Sequence, residues 1–152
     1  MAETGQVVNL NPSRVQEAFA HYLVEARGGD RDTALFGLIE LDHSVLPLLQ
    51  AAYHSEPEGT IRALLVEAIW QHRPQSVAPF LFEALKDADN ETWMQALDGL
   101  VALASPTTRD GLECALRVEA DARRREWFAE ALDQIRQAIR LPDHDAQEGL
   151  AC

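Results

Sequence analysis

Basic side chains are scarce in this chain: 13 lysines and arginines stand against 25 aspartates and glutamates over 152 residues, a formal charge of −12. A phosphate backbone or an anionic membrane surface is held by a basic face, so the charge argues against nucleic acid and membrane as partners. Cysteine is scarcer still. There are two, one of them the last residue, too few for a disulfide framework. No apolar run approaches the roughly 20 residues that a membrane-spanning helix needs. The opening Met1-Ala-Glu-Thr-Gly-Gln has neither a basic stretch nor an apolar one, so no signal peptide is expected and the reading is a cytoplasmic protein.

Catalytic signatures are missing too. No glycine-rich phosphate loop occurs, since Gly28-Gly29 reads as a turn between helices, and there is no Gly-x-Ser-x-Gly elbow. Glu40-Leu-Asp-His43 has a metal-site spacing but occurs once, at a helix end, and Glu17 and His21 are merely one helical turn apart. Cys114 has no Cys or His near it in sequence and reads as a small core residue. The expectation is therefore no catalytic residue, no cofactor and no metal, in a chain that is not an enzyme.

What is present is helix. Strand signals fail, with no sustained Val/Ile/Thr alternation and no Asn-Gly hairpin turn. The composition, 47% hydrophobic and 25% charged, is that of a globular chain. Its apolar residues recur at three- and four-residue steps, broken by Pro, Gly, Asp and Asn.

The chain also repeats. Ser44, Ser76 and Thr108 are 32 residues apart, as are Pro47, Pro79 and Gly111, and Leu48, Phe80 and Leu112. A second signature runs Ala34-Leu35-x-x-Leu38-Ile39, Leu64-Leu65-x-x-Ala68-Ile69, Ala96-Leu97-x-x-Leu100-Val101 and Ala131-Leu132-x-x-Ile135, at intervals of 30, 32 and 35. Loops vary in length while the helix core persists, which is the mark of stacked helical pairs. The spacing predicts first helices at 12–27, 44–54, 76–87 and 108–119, with Ser44, Ser76 and Thr108 as N-caps and the prolines in the first turn. Second helices are expected at 31–41, 59–72, 90–104 and 122–140. Asn11-Pro12 looks like a further start and Leu141-Pro142 a stop. The division expected is an N-terminal segment 1–11, a repeat domain 12–141 and a flexible tail 142–152.

With Pro79-Phe-Leu-x-x-Ala-Leu85 in a first helix and Ala96-Leu-x-x-Leu-Val101 in a second, the chain resembles HEAT repeats, in particular the short HEAT-like type of the phycobilisome lyases. That resemblance implies an all-α fold, an α-solenoid of about four helical hairpins, that binds other proteins along a groove lined by its second helices. The metal-binding His-Glu pattern of the HEAT-repeat hydroxylases is missing, and a HEAT-like DNA glycosylase would need a basic groove.

Within the second-helix signature, the two residues between the core positions are expected to face away from the core. They form two ladders, Phe36, Val66, Asp98, Asp133 and Gly37, Glu67, Gly99, Gln134, flanked by Met94 and Trp70. The expected partner strip is Glu67, Trp70, Met94, Asp98, Glu130, Asp133 and Gln134, its carboxylates steering a basic protein partner and Trp70 and Met94 serving as apolar anchors. The sharper form of this reading is an inhibitor or immunity protein that masks a basic toxin or enzyme. Small size, acidity and a bacterial-looking twelve arginines to one lysine fit it. The alternatives are a structural subunit or homodimer, and a lyase-like protein that binds a chromophore. Arg123-Arg124-Arg125 sits among Glu119, Asp121 and Glu126 and reads as a solvated turn with local ion pairs.

Overall fold

The computed structural model describes residues 12–140. Among them are eight α-helices, two 3₁₀ turns and no strand. The fold is all-α, made of four helical hairpins of the α-solenoid type, as the repeat predicts. The hairpins fall two by two into compact units that part between His72 and Arg73.

In the first unit, α1 (Pro12–Arg27) pairs with α2 (Arg31–Glu40), and α3 (Leu46–Ser55) pairs with α4 (Gly59–Gln71), while α2 and α4 pack side by side. In the second, α5 (Ala78–Ala84) pairs with α6 (Asn90–Leu103) and α7 (Pro106–Val118) with α8 (Ala122–Ile139); α6 packs on α8 and α5 on α7. Leu38, Leu49, Leu65 and Ile69 are sealed in the first unit, and Leu81, Trp93, Leu100, Leu112, Phe128 and Ile135 in the second. A single hairpin leaves one apolar face open to water, and a stacked neighbour covers it.

The second helices begin and end within a residue of expectation. Aspartate sets three of their starts: Asp30, Asp89 and Asp121 each accept from a free amide three residues on, Thr33, Thr92 and Arg124 respectively. The expected caps of the first helices are a correction. Ser44 and Ser76 lie inside 3₁₀ turns, His43–Val45 and Gln75–Val77, that lead into α3 and α5. Thr108 is three residues into α7, where it closes a reciprocal capping box with the true cap, Ser105. Pro47 and Pro79 stand at the first or second position of α3 and α5, as expected, where the missing N–H loses no bond; Pro106 takes the same place in α7, ahead of the start expected there. Asn11 and Leu141-Pro142 lie outside the described residues.

Two glycines admit aromatic rings. A Cβ on Gly37 would overlap the ring of Tyr22 across the α1–α2 hairpin, and one on Gly111 would overlap the ring of Phe82 between α5 and α7. The end of α3 is fixed by Glu56, whose carboxylate takes both terminal nitrogens of Arg27 (Nη1–Oε2 3.0 Å) and the Glu58 amide. The arginine holds that buried carboxyl below the usual carboxylate range.

Candidate functional site

α6 and α8 lie side by side, and a cleft of about 570 Å³ opens along their seam. Leu97 and Val101 from α6 and Ala131 from α8 give it an apolar floor; Trp127 from α8 adds an indole that is 45% exposed. Asp98, Glu126, Glu130 and Gln134 bring polar atoms to the walls. Helical period explains the grouping. Leu97 and Val101 are one turn apart on α6, and Trp127, Ala131 and Gln134 climb one stripe of α8.

The aromatic wall is braced from behind. Buried Trp93 meets Trp127 edge to face at 6.2 Å between ring centroids and Phe128 at 6.1 Å. The Trp93 indole N–H donates to the Asn90 side chain at 3.1 Å. On Trp93 lies the guanidinium of Arg124, 4.8 Å from the ring centroid, and it donates to the carbonyls of Leu85 and Asp87 just past the end of α5. Arg125 likewise donates to the carbonyls of Leu116 (2.7 Å) and Glu119 (2.9 Å) at the end of α7. Two members of the arginine triplet therefore spend their guanidiniums on backbone carbonyls around helix C-termini, where the dipole favours cations, rather than on side-chain ion pairs.

The carboxylates in and beside the cleft have no such partners. Asp98, Glu126, Glu130 and Asp133 form no ion pair among the described residues. Asp98 has an exposed side chain, yet the cleft walls strip enough water from it to push its carboxyl above the ordinary aspartate range.

The structure brings Asp98, Glu130 and Gln134 together in this cleft. Asp133 lies on the adjoining face of α8 with Ala129 and Gln137, and Met94 is half-buried one turn before Asp98. Glu67 and Trp70 belong to α4 of the first unit, both half-buried. Val66 does not face outward: it is fully buried, because α4 is apolar around most of its circumference. Gly99 is buried as well. Sequence reasoning missed Trp127 and Glu126, which precede the four-residue signature of α8 by a turn. The signal was there in Trp127 and Phe128 side by side, of which one alone can face the core.

The metal spacings come apart. His43 sits in a 3₁₀ turn with its ring edge-on to His72 at 4.9 Å, and His21 pairs with Glu25 at 3.5 Å rather than with Glu17. Among the described residues no group of three His, Cys, Asp or Glu side chains converges. Cys114 is half-buried and disulfide-bonded, not a small residue sealed in the core. No helix among the described residues is long and apolar enough to cross a membrane.

A protein-family model described as HEAT repeats matches residues 45–133, more than half of the chain. No curated protein and no solved structure matches it.

Proposed function

We propose, since this chain belongs to the HEAT-repeat family, that it is a non-enzymatic binding module that holds a basic segment of another protein in the α6–α8 cleft. HEAT repeats are generally protein-interaction modules. The observation that carries the reading is an open seam with an apolar floor, a half-exposed Trp127 and three carboxylates without a cation among the described residues. Folding gains nothing from such carboxylates, whereas a docked cation would neutralise them. Asp133 and Met94 extend the surface to either side, and Glu67 and Trp70 are a second patch on the first unit. The −12 charge supports an inhibitor or immunity role in which the acidic face masks a basic toxin or enzyme.

Capture from the native cell extract tests this. A stoichiometric basic partner should be retained at low salt and released as screening shortens the Debye length to about 3 Å near 1 M salt. The pair Asp98→Asn and Glu130→Gln should lose it. A chain that retains nothing at any salt, or that retains a partner indifferent to both substitutions, overturns the reading.

One observation favours a second reading, a subunit of a larger assembly or a homodimer. Val24 and Phe36 of the first hairpin are 70% and 65% exposed, as a terminal hairpin would be if another surface covered it. A light-scattering mass of two chains would support the homodimer, and a mass of one chain would remove it.

A further inference from the structure

We propose that the α6–α8 cleft reads arginine: the side chain it takes from a partner lays its guanidinium on Trp127 and bonds to the carboxylates of Asp98, Glu126 and Glu130. The inference rests on the docking reading above and narrows it from a basic segment to one kind of side chain.

Three features point the same way. The floor of Leu97, Val101 and Ala131 matches the methylene stem of a long basic side chain, which lies on apolar surface while its head reaches polar atoms. The half-exposed indole offers a face to a flat, weakly hydrated cation, and guanidinium stacks there better than a compact, strongly hydrated ammonium. The carboxylates on both helices supply paired acceptors suited to the fixed fork of guanidinium donors, and the Gln134 amide oxygen adds another.

The same aromatic cluster already holds one guanidinium. On the inner side, Arg124 lies over Trp93 and spends its N–H groups on carbonyl oxygens. On the outer side, Trp127 presents an equivalent ring beside oxygen acceptors, and no guanidinium lies over it among the described residues. Two of the neighbouring cations are committed elsewhere, while Arg123, one turn before Trp127 on α8, forms no ion pair among the described residues. Arg125 donates to the end of α7, and Arg136 pairs with Glu113 at 2.7 Å. Asp98 stays incompletely solvated at the wall, so a cation placed beside it restores what the cleft withholds.

The full chain, at low ionic strength, is titrated calorimetrically with two blocked five-residue peptides, Gly-Arg-Gly-Arg-Gly and its lysine counterpart. The indole N–H resonance of Trp127, identified with Trp127→Phe, locates the binding. The arginine peptide should bind about fivefold more tightly than the lysine peptide and shift that resonance saturably. The pair Glu126→Gln and Glu130→Gln, both at exposed positions, should weaken arginine binding about tenfold with an unchanged circular dichroism spectrum. Trp127→Leu should erase the arginine preference, and Trp127→Phe should keep most of it. Equal affinity for the two peptides, with the Trp127 resonance shifting, overturns the arginine assignment and leaves the docking reading standing. No saturable shift with either peptide overturns both.

Discussion

Asp98 carries a charge that its surroundings oppose, and the sign of that opposition can be measured. Its carboxyl pKa is raised in the fold by loss of solvent. The protonated form is thus favoured on folding, and that contribution is lost as pH rises through the raised value. At neutral pH, Asp98→Asn should therefore raise the melting temperature while weakening capture of a basic peptide; a variant that lowers both would tie Asp98 to folding instead. Peptide affinity should also fall on acidification at a pH above the ordinary aspartate range, which a titration series reads directly. Glu56 has the opposite sign. Arg27 depresses its pKa, so its contribution is present above the unfolded value and lost as pH falls through the folded one. Glu56→Gln should cost about 2 kcal/mol in denaturant at pH 7, the range for a hydrogen bond to a charged group, and almost nothing in strong acid. His72 is sealed with Nε2 at 3.1 Å from the Leu38 carbonyl oxygen and its pKa is lowered, chiefly by burial. Its neutral form suits the fold, and stability erodes as pH drops below the ordinary histidine value, where the unfolded chain takes the proton first.

At the level of single helices, capping chemistry separates what could be foreseen from what could not. The second helices were legible because their apolar positions follow the 3.6-residue period and each lies wholly within one unit of the repeat. The starts of α3, α5 and α7 were not, because a serine or threonine ahead of an apolar run caps a helix in some contexts and sits inside a tight turn in others. At α3 and α5 a 3₁₀ turn absorbs the hydroxyl residue; at α7 the reciprocal bonds between Ser105 and Thr108, 3.1 and 2.9 Å, move the start three residues earlier. Ser105→Ala should destabilise the second unit by about 1 kcal/mol, and a denaturation midpoint shift checks it. The end of α6 has its own strain, since Ala104 adopts φ 28°, a region that suits glycine. Ala104→Gly should be neutral or stabilising, against the usual loss for an alanine replaced near a helix end. Part of the cleft was readable in the same manner: Asp98 and Gln134 follow from the signature and Glu130 adjoins its fourth copy, while Trp127 depends on which side of α8 turns to α6, and that is settled by packing around Trp93 rather than by local pattern.

Over the molecule as a whole, two compact units set the scale of cooperativity. Leu100 is fully buried in the second, and Leu100→Ala should cost about 2–5 kcal/mol. Hydrogen exchange should show that cost concentrated in amides of α6 and α8, with those of α2 and α4 less affected; uniform loss across all eight helices would mean that the chain opens as one. The Tyr22–Gly37 and Phe82–Gly111 fits bear on what can be exchanged between such proteins. The first lies inside one hairpin, but the second joins α5 of one hairpin to α7 of the next. A hairpin cut at the 32-residue period and grafted into another array would bring its half of that fit and leave the other half behind. The portable cassette in the second unit therefore runs from the ring-bearing helix of one pair through the glycine-bearing helix of its successor, out of phase with the repeat that the sequence displays.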